Sequence, residues 1–224
     1  LHFVKPVFDR RVFFKTCTNG SSELMTNLSM SLVNALYNLQ LMKIAGENGV
    51  AAYGAVMYVN FIFVATFLGY AIGCAPVISY HYGAGNHAEL KNLYKKSMSI
   101  ILVWGVILFG AAQLLAPVLS KIFVGYNTSL YAMTLHGFRV YAIAFLIIGI
   151  NIFGSSFFTA LNNGLISAVI SFLRTLMFQV IMVLTLPLWF GINGIWSAIS
   201  VAEALTLIMT TTFFVRQKDK YHYL

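Results

Sequence analysis

GLISAVISFLRTLMFQVIMVLTLPLWFGINGIWSAISVAEALTLIMTTTFFV, residues 164–215, decides what kind of protein this is. Arg174 and Glu203 are its only charges, and Gly191 divides it into two apolar halves. A hydrocarbon core of roughly 30 Å takes about 20 residues of α-helix, whereas a membrane strand takes about ten with alternating polarity. Backbone amides in lipid must be hydrogen-bonded within their own segment, so each half reads as a transmembrane helix.

Outward from this pair the pattern repeats. Apolar runs broken by glycine, proline, asparagine and charge predict six spans near residues 20–44, 50–82, 97–122, 133–161, 164–190 and 192–215. An amphipathic cytoplasmic segment, 1–19, precedes them and a basic cytoplasmic tail, 216–224, follows. The expected fold class is an all-α polytopic membrane protein.

Composition agrees. With 59% hydrophobic and 9% charged residues in 224, the chain lacks the polar surface a water-soluble domain needs. The opening LHFVKPVFDRRVFFK lacks the apolar core and cleavage site of a signal peptide, and the start reads as a truncation. The net charge of +8 does not indicate nucleic acid, because the basic residues gather at the ends of apolar runs. Lys5, Arg10, Arg11 and Lys15, then Lys91, Lys95 and Lys96, then Arg216, Lys218 and Lys220 all fall on one side. The other side carries Lys43 and Lys121, with Arg139 two turns into the fourth span, so both termini are expected in the cytoplasm.

Several residue classes read as structural. Cys17 and Cys74 lack the setting for a disulfide. The five histidines never take metal-ligand spacing, and Gly83-Ala84-Gly85 follows a helix, unlike a nucleotide loop. The segment 80–96 reads as a glycine stop followed by a short amphipathic stretch at the membrane surface. Trp104, Trp189 and Trp196 read as interfacial anchors. Gly69 and Gly73 are spaced for close helix contact, and Pro76 for a bend.

Polar groups inside the spans carry the functional signal. Glu23, Asn27, Ser31, Asn34 and Asn38 recur at helical spacing and make one face of the first span polar. That face lines either a hydrated cavity or a dry helix interface, and Glu23 either serves function or complements the helix dipole. Arg174 and Glu203 both fall near the bilayer midplane, where a lone charge is costly, and form a candidate pair. The pair either holds two helices in register or leaves Glu203 to carry a coupling proton.

Four stretches carry a family resemblance: NGSSELMTNLSMSLVNALYN (19–38), GCAPVISYHYGAGN (73–86), SSFFTALNN (155–163) and LPLWFGINGIWSAISVAEAL (186–205). Together they resemble the multidrug and toxic compound extrusion (MATE) family, in its MepA-like bacterial branch. The resemblance implies twelve helices in two six-helix lobes, with this chain as the carboxy-terminal lobe and the amino-terminal lobe as its partner. It further implies export of cationic or amphipathic drugs coupled to sodium or proton entry, with no other cofactor. Glu23 falls in the matching seventh helix, where some branches bind a sodium ion, whereas the matching tenth helix has no carboxylate.

Three other readings compete. A lipid or polysaccharide-precursor flippase would favour a basic cavity, for which Arg174 is the one midplane candidate. A non-transporting membrane bundle would keep the 27–38 face dry. A membrane-embedded enzyme is disfavoured, since Gly154-Ser155 has no histidine base deep in a later span.

Overall fold

The computed structural model describes residues 9–224, leaving out the side chains of Asn19, Ser21, Ser22, Glu23, Met25 and Thr26. Helix α1 runs Arg10–Gly83, α2 His87–Val124, α3 Thr128–Tyr141, α4 Phe145–Ala160, α5 Gly164–Phe172, α6 Phe178–Phe190 and α7 Ile192–Tyr221. A short 3-10 turn joins α3 to α4, and a π turn, Leu173–Met177, joins α5 to α6. Among the described residues there is no strand.

Helix α1 is two helices. Gly46 sits at φ 63°, ψ −154°, a conformation open almost only to glycine. The Tyr37 and Tyr53 rings stack at 4.9 Å, although sixteen residues of straight helix would separate them by about 24 Å. The chain therefore reverses at Gly46. Among the described residues five helical stretches are long and apolar enough to cross a membrane, and the reversal at Gly46 divides the first of them into two arms.

Local chemistry sets the helix ends. Asp9 caps α1, its carboxylate accepting from the Arg11 and Val12 amides, so the helix begins at Arg10 and passes through Gly20. Asn86 caps α2 by accepting from the Glu89 amide. The amphipathic stretch expected at the membrane surface is instead the first turns of α2, continuous with the span and burying Leu90, Tyr94 and Ser97.

Helix α4 lies at the centre, packed by α1, α2, α5 and α7. At the basic end of the helix bundle, Tyr94, Phe157, Phe158, Phe214, Tyr221 and Tyr223 form an aromatic cluster. Tyr223 donates to the Phe214 carbonyl at 2.8 Å, and burial pushes its phenol well above the ordinary range.

Two packing expectations are corrected. Gly69 and Gly73 face open space, and close helix contact falls instead at Gly137, Gly149, Gly154 and Gly194. Spacing alone puts Gly69 and Gly73 on one face without saying what that face meets. Trp196 is no interfacial anchor: it is 1% exposed and lies where a Cβ on Gly137 would stand, whereas Trp104 and Trp189 are exposed. Cys17 and Cys74 are both free thiols.

Candidate functional site

Arg174 and Glu203, far apart in sequence, meet inside the helix bundle. Glu203 rises from the middle of α7 and is 1% exposed; Arg174 stands in the π turn with 14% of its side chain exposed. The Arg174 Nε donates to Glu203 Oε1 at 2.9 Å. A π turn adds a residue to the helical repeat and re-aims the side chains it carries, a distortion frequent at functional sites.

A third residue completes the centre. Asn151, fully buried on α4, donates from Nδ2 to Glu203 Oε2 at 2.7 Å and to the Glu203 carbonyl at 2.9 Å. Both carboxylate oxygens are thus engaged, one by a cation and one by an amide. Such satisfaction is what a buried carboxylate needs, since an unpaired charge in a low-dielectric interior costs several kcal/mol. Asn151 Oδ1 is buried without a hydrogen-bond partner.

The amino-terminal hairpin adds phenols. Tyr37, from the first arm of α1, and Tyr141, from α3, both lie within electrostatic range of Glu203. Tyr53, from the second arm, donates to Asn34 Oδ1 at 2.9 Å.

The polar face of the first span therefore divides. Asn34 joins the stacked Tyr37 and Tyr53 of the hairpin through its bond to Tyr53. Asn38 donates to the Asn34 carbonyl at 2.9 Å, a bond within its own helix. Asn27 is exposed, and the Glu23 side chain lies outside the described residues. Among the described residues no cluster of His, Cys, Asp and Glu has the makings of a metal site. His2 lies outside the described residues, and His136 bonds Asn193 Oδ1 at 2.7 Å. The Ser155 hydroxyl meets the hydroxyls of Ser167 and Ser171.

A family model, MatE, matches residues 24–185. The chain belongs to the MatE family. Its members are transporters, not enzymes. No curated protein matches the chain. Among solved structures, the outward-facing conformation of a multidrug resistance MATE family transporter of the MOP superfamily superposes with a TM-score of 0.89 at 19% identity, covering 99% of this chain and 50% of that one. An inward-facing conformation of such a transporter gives 0.84 at 19%, covering 96% and 50%. A MOP superfamily transporter from Pyrococcus furiosus Vc1, described as having a binding pocket of reverse polarity, gives 0.85 at 20%, covering 94% and 48%. These likenesses establish the fold. This MatE chain spans about half the length of the solved transporters it matches.

Asn151 and the tyrosines were not singled out from the sequence. Asn151 did leave a signal, as an amide alone in the apolar run FLIIGINIFG. Tyr37, Tyr53 and Tyr141 left none, because a phenol near a span end looks like an interfacial anchor until the facing helix is known.

In this MatE chain, Tyr53→Phe is expected to lower stability by about 1 kcal/mol, since Asn34 Oδ1 loses its donor. Thermal melting of the solubilised protein measures this. An unchanged melting temperature would mean that water replaces the phenol and that the Asn34 face is wet.

Proposed function

We propose that the chain is one lobe of a secondary antiporter that exports cationic or amphipathic compounds against entry of sodium or protons. Membership of the MatE family carries this reading, and the buried Arg174–Glu203–Asn151 centre supports it. Intramembrane ionisable groups mark ion and substrate paths more often than they serve packing alone. A ligand shifts a conformational equilibrium only by its differential affinity for the two states. Ion and drug therefore favour opposite-facing states of this lobe and an amino-terminal partner lobe, and rocking of the lobes supplies the exchange.

Glu203 is the coupling group in this reading, with Arg174 and Asn151 setting its environment. Glu23 is the candidate for a sodium ligand, and Asn27, Asn34 and Asn38 line the route of the drug. The one-sided distribution of Lys and Arg supports both ends of this segment lying in the cytoplasm, and the proposed setting is a bacterial plasma membrane, within the MepA-like branch. A flippase for anionic headgroups would need a free cation at the midplane, and Arg174 is already neutralised at 2.9 Å.

The test is ethidium efflux from energised cells expressing the intact protein, comparing wild type with Glu23→Gln, Glu203→Gln and Asn34→Leu at matched membrane levels. Efflux by Glu203→Gln is expected to fall to that of non-expressing cells. Collapsing the proton or the sodium gradient separately identifies the coupling ion. Undiminished efflux in all three variants would return these positions to structural duty. No efflux in wild type would point to a different cargo.

A further inference from the structure

Most hydroxyls in this lobe that hydrogen-bond return to their own helix. Thr134, Thr185 and Thr206, for example, each donate to the carbonyl four residues earlier. Four bond to one another across the boundary between α4 and α5, although Thr159 also reaches its own helix at the Ser155 carbonyl, 3.1 Å away. Thr159 Oγ1 lies 2.6 Å from Ser167 Oγ, Ser167 Oγ lies 2.9 Å from Ser155 Oγ, and Ser155 Oγ lies 2.8 Å from Ser171 Oγ. In every one of these contacts either oxygen can be the donor. A hydroxyl both gives and accepts a proton, so the whole series can reverse its polarity.

The two ends of the series differ. Thr159, with Ser79 and Ser156, lines an open cavity of about 370 Å³ at the basic end of the lobe, enough for several waters at about 30 Å³ each. The inner members Ser167 and Ser171 are buried, at 0% and 4% exposure. Ser171 lies one helical turn before Arg174, and Ser155 lies one turn after Asn151 on the same face of α4. Asn151 holds Glu203 Oε2 through Nδ2, while its Oδ1 is a buried acceptor that no protein group satisfies. Buried acceptors of this kind take a water. From Thr159 to Asn151 the series rises about 12 Å along α4.

We infer that Thr159, Ser167, Ser155 and Ser171 are a proton relay joining the cavity at the basic end of the lobe to the Glu203 carboxylate. The inference rests on the reading of Glu203 as the coupling group, and it selects the proton as the coupling ion. A hydronium in the cavity gives its extra proton to the Thr159 oxygen and returns to water, as that hydroxyl passes its own proton to Ser167. The transfer repeats to Ser155, to which Ser171 is also bonded, and a water held at the unpartnered Asn151 Oδ1, one turn away on α4, carries the last proton to Glu203. Each hydroxyl keeps one proton throughout, no electrons move, and the carboxylate becomes neutral. Arg174, from the π turn, is the charge facing Glu203, with the phenols of Tyr37 and Tyr141 in range from α1 and α3. Neutral Glu203 releases its hold on Arg174, so proton arrival becomes a change in helix contacts.

The test uses the intact protein in proteoliposomes with a trapped pH dye, reading drug-coupled proton flux beside drug counterflow, which needs no net proton movement. Ser155→Ala and Ser167→Ala are each expected to slow proton-coupled transport by about tenfold while counterflow stays near wild type, and Ser155→Thr, which keeps a hydroxyl, is expected to retain the rate. If one alanine variant does not assemble, Ser171→Ala interrogates the same series. Equal loss of both readouts in the variants that assemble, or loss of neither, would overturn the relay. Glu203→Gln separates the two layers: if it abolishes proton-coupled transport while the hydroxyl variants do not, the relay fails and the coupling reading stands. If Glu203→Gln transports protons normally, both fall.

Discussion

Arg174→Met alone is expected to destabilise the protein by roughly 3 kcal/mol or more, Glu203→Leu by as much, and the two together by far less than their sum. The reason is asymmetric. Each single change leaves one charge buried without its partner, a carboxylate at 1% exposure or a guanidinium at 14%. Asn151 compensates only partly, since it donates to one carboxylate oxygen while Arg174 Nε holds the other. The double replacement removes both desolvation costs and leaves an apolar contact. Thermal melting of the solubilised protein reads stability, and ethidium efflux reads function. Stability recovered without efflux is the expected combination. Equal melting temperatures in all three variants would mean that the pair is solvated, contrary to the burial described.

Gly194→Ala is expected to be strongly damaging. A Cβ there would stand 2.4 Å from the Leu186 carbonyl oxygen and 2.7 Å from the Pro187 nitrogen. These are backbone atoms and have no rotamer to escape into, unlike the Phe67 ring that a Cβ on Gly149 would meet. The turn between α6 and α7 is already committed to glycine at Gly191, with φ 55° and ψ −133°, so it has little freedom to open. A loss of about 3 kcal/mol is expected, seen as reduced membrane yield and a lower melting temperature. Gly73→Ala, which meets open space, should be neutral or gain up to about 1 kcal/mol from helix propensity. The reverse order would show that the Gly69 and Gly73 face is covered in the intact protein and that the α6–α7 turn yields.

The centre was partly legible before the fold. Arg174 and Glu203 stood out because charge inside a long apolar run is rare and its depth follows from counting residues. Asn34 stood out through its spacing with Asn27 and Asn38. The same spacing misled for Gly69 and Gly73, and it did not reveal that Asn34 accepts from Tyr53 of the facing arm. Asn151 and the hydroxyl series escaped notice because serine, threonine and asparagine are ordinary in membrane helices, where each can return to its own backbone or bridge a neighbour.

By itself the sequence determined what is one-dimensional: a lipid solvent, long apolar helices, one basic side, and two opposite charges at matching depth. Those properties depend on hydrophobicity and on a rise of about 1.5 Å per residue, both of which act along the chain. Only the tertiary structure decided the rotation of each helix about its axis. That rotation turns Trp196 inward over Gly137, brings Asn151 to Glu203, and lays four hydroxyls of α4 and α5 in a row. In lipid the hydrophobic effect cannot choose which apolar face points inward, so packing and interhelical hydrogen bonds between distant residues make that choice.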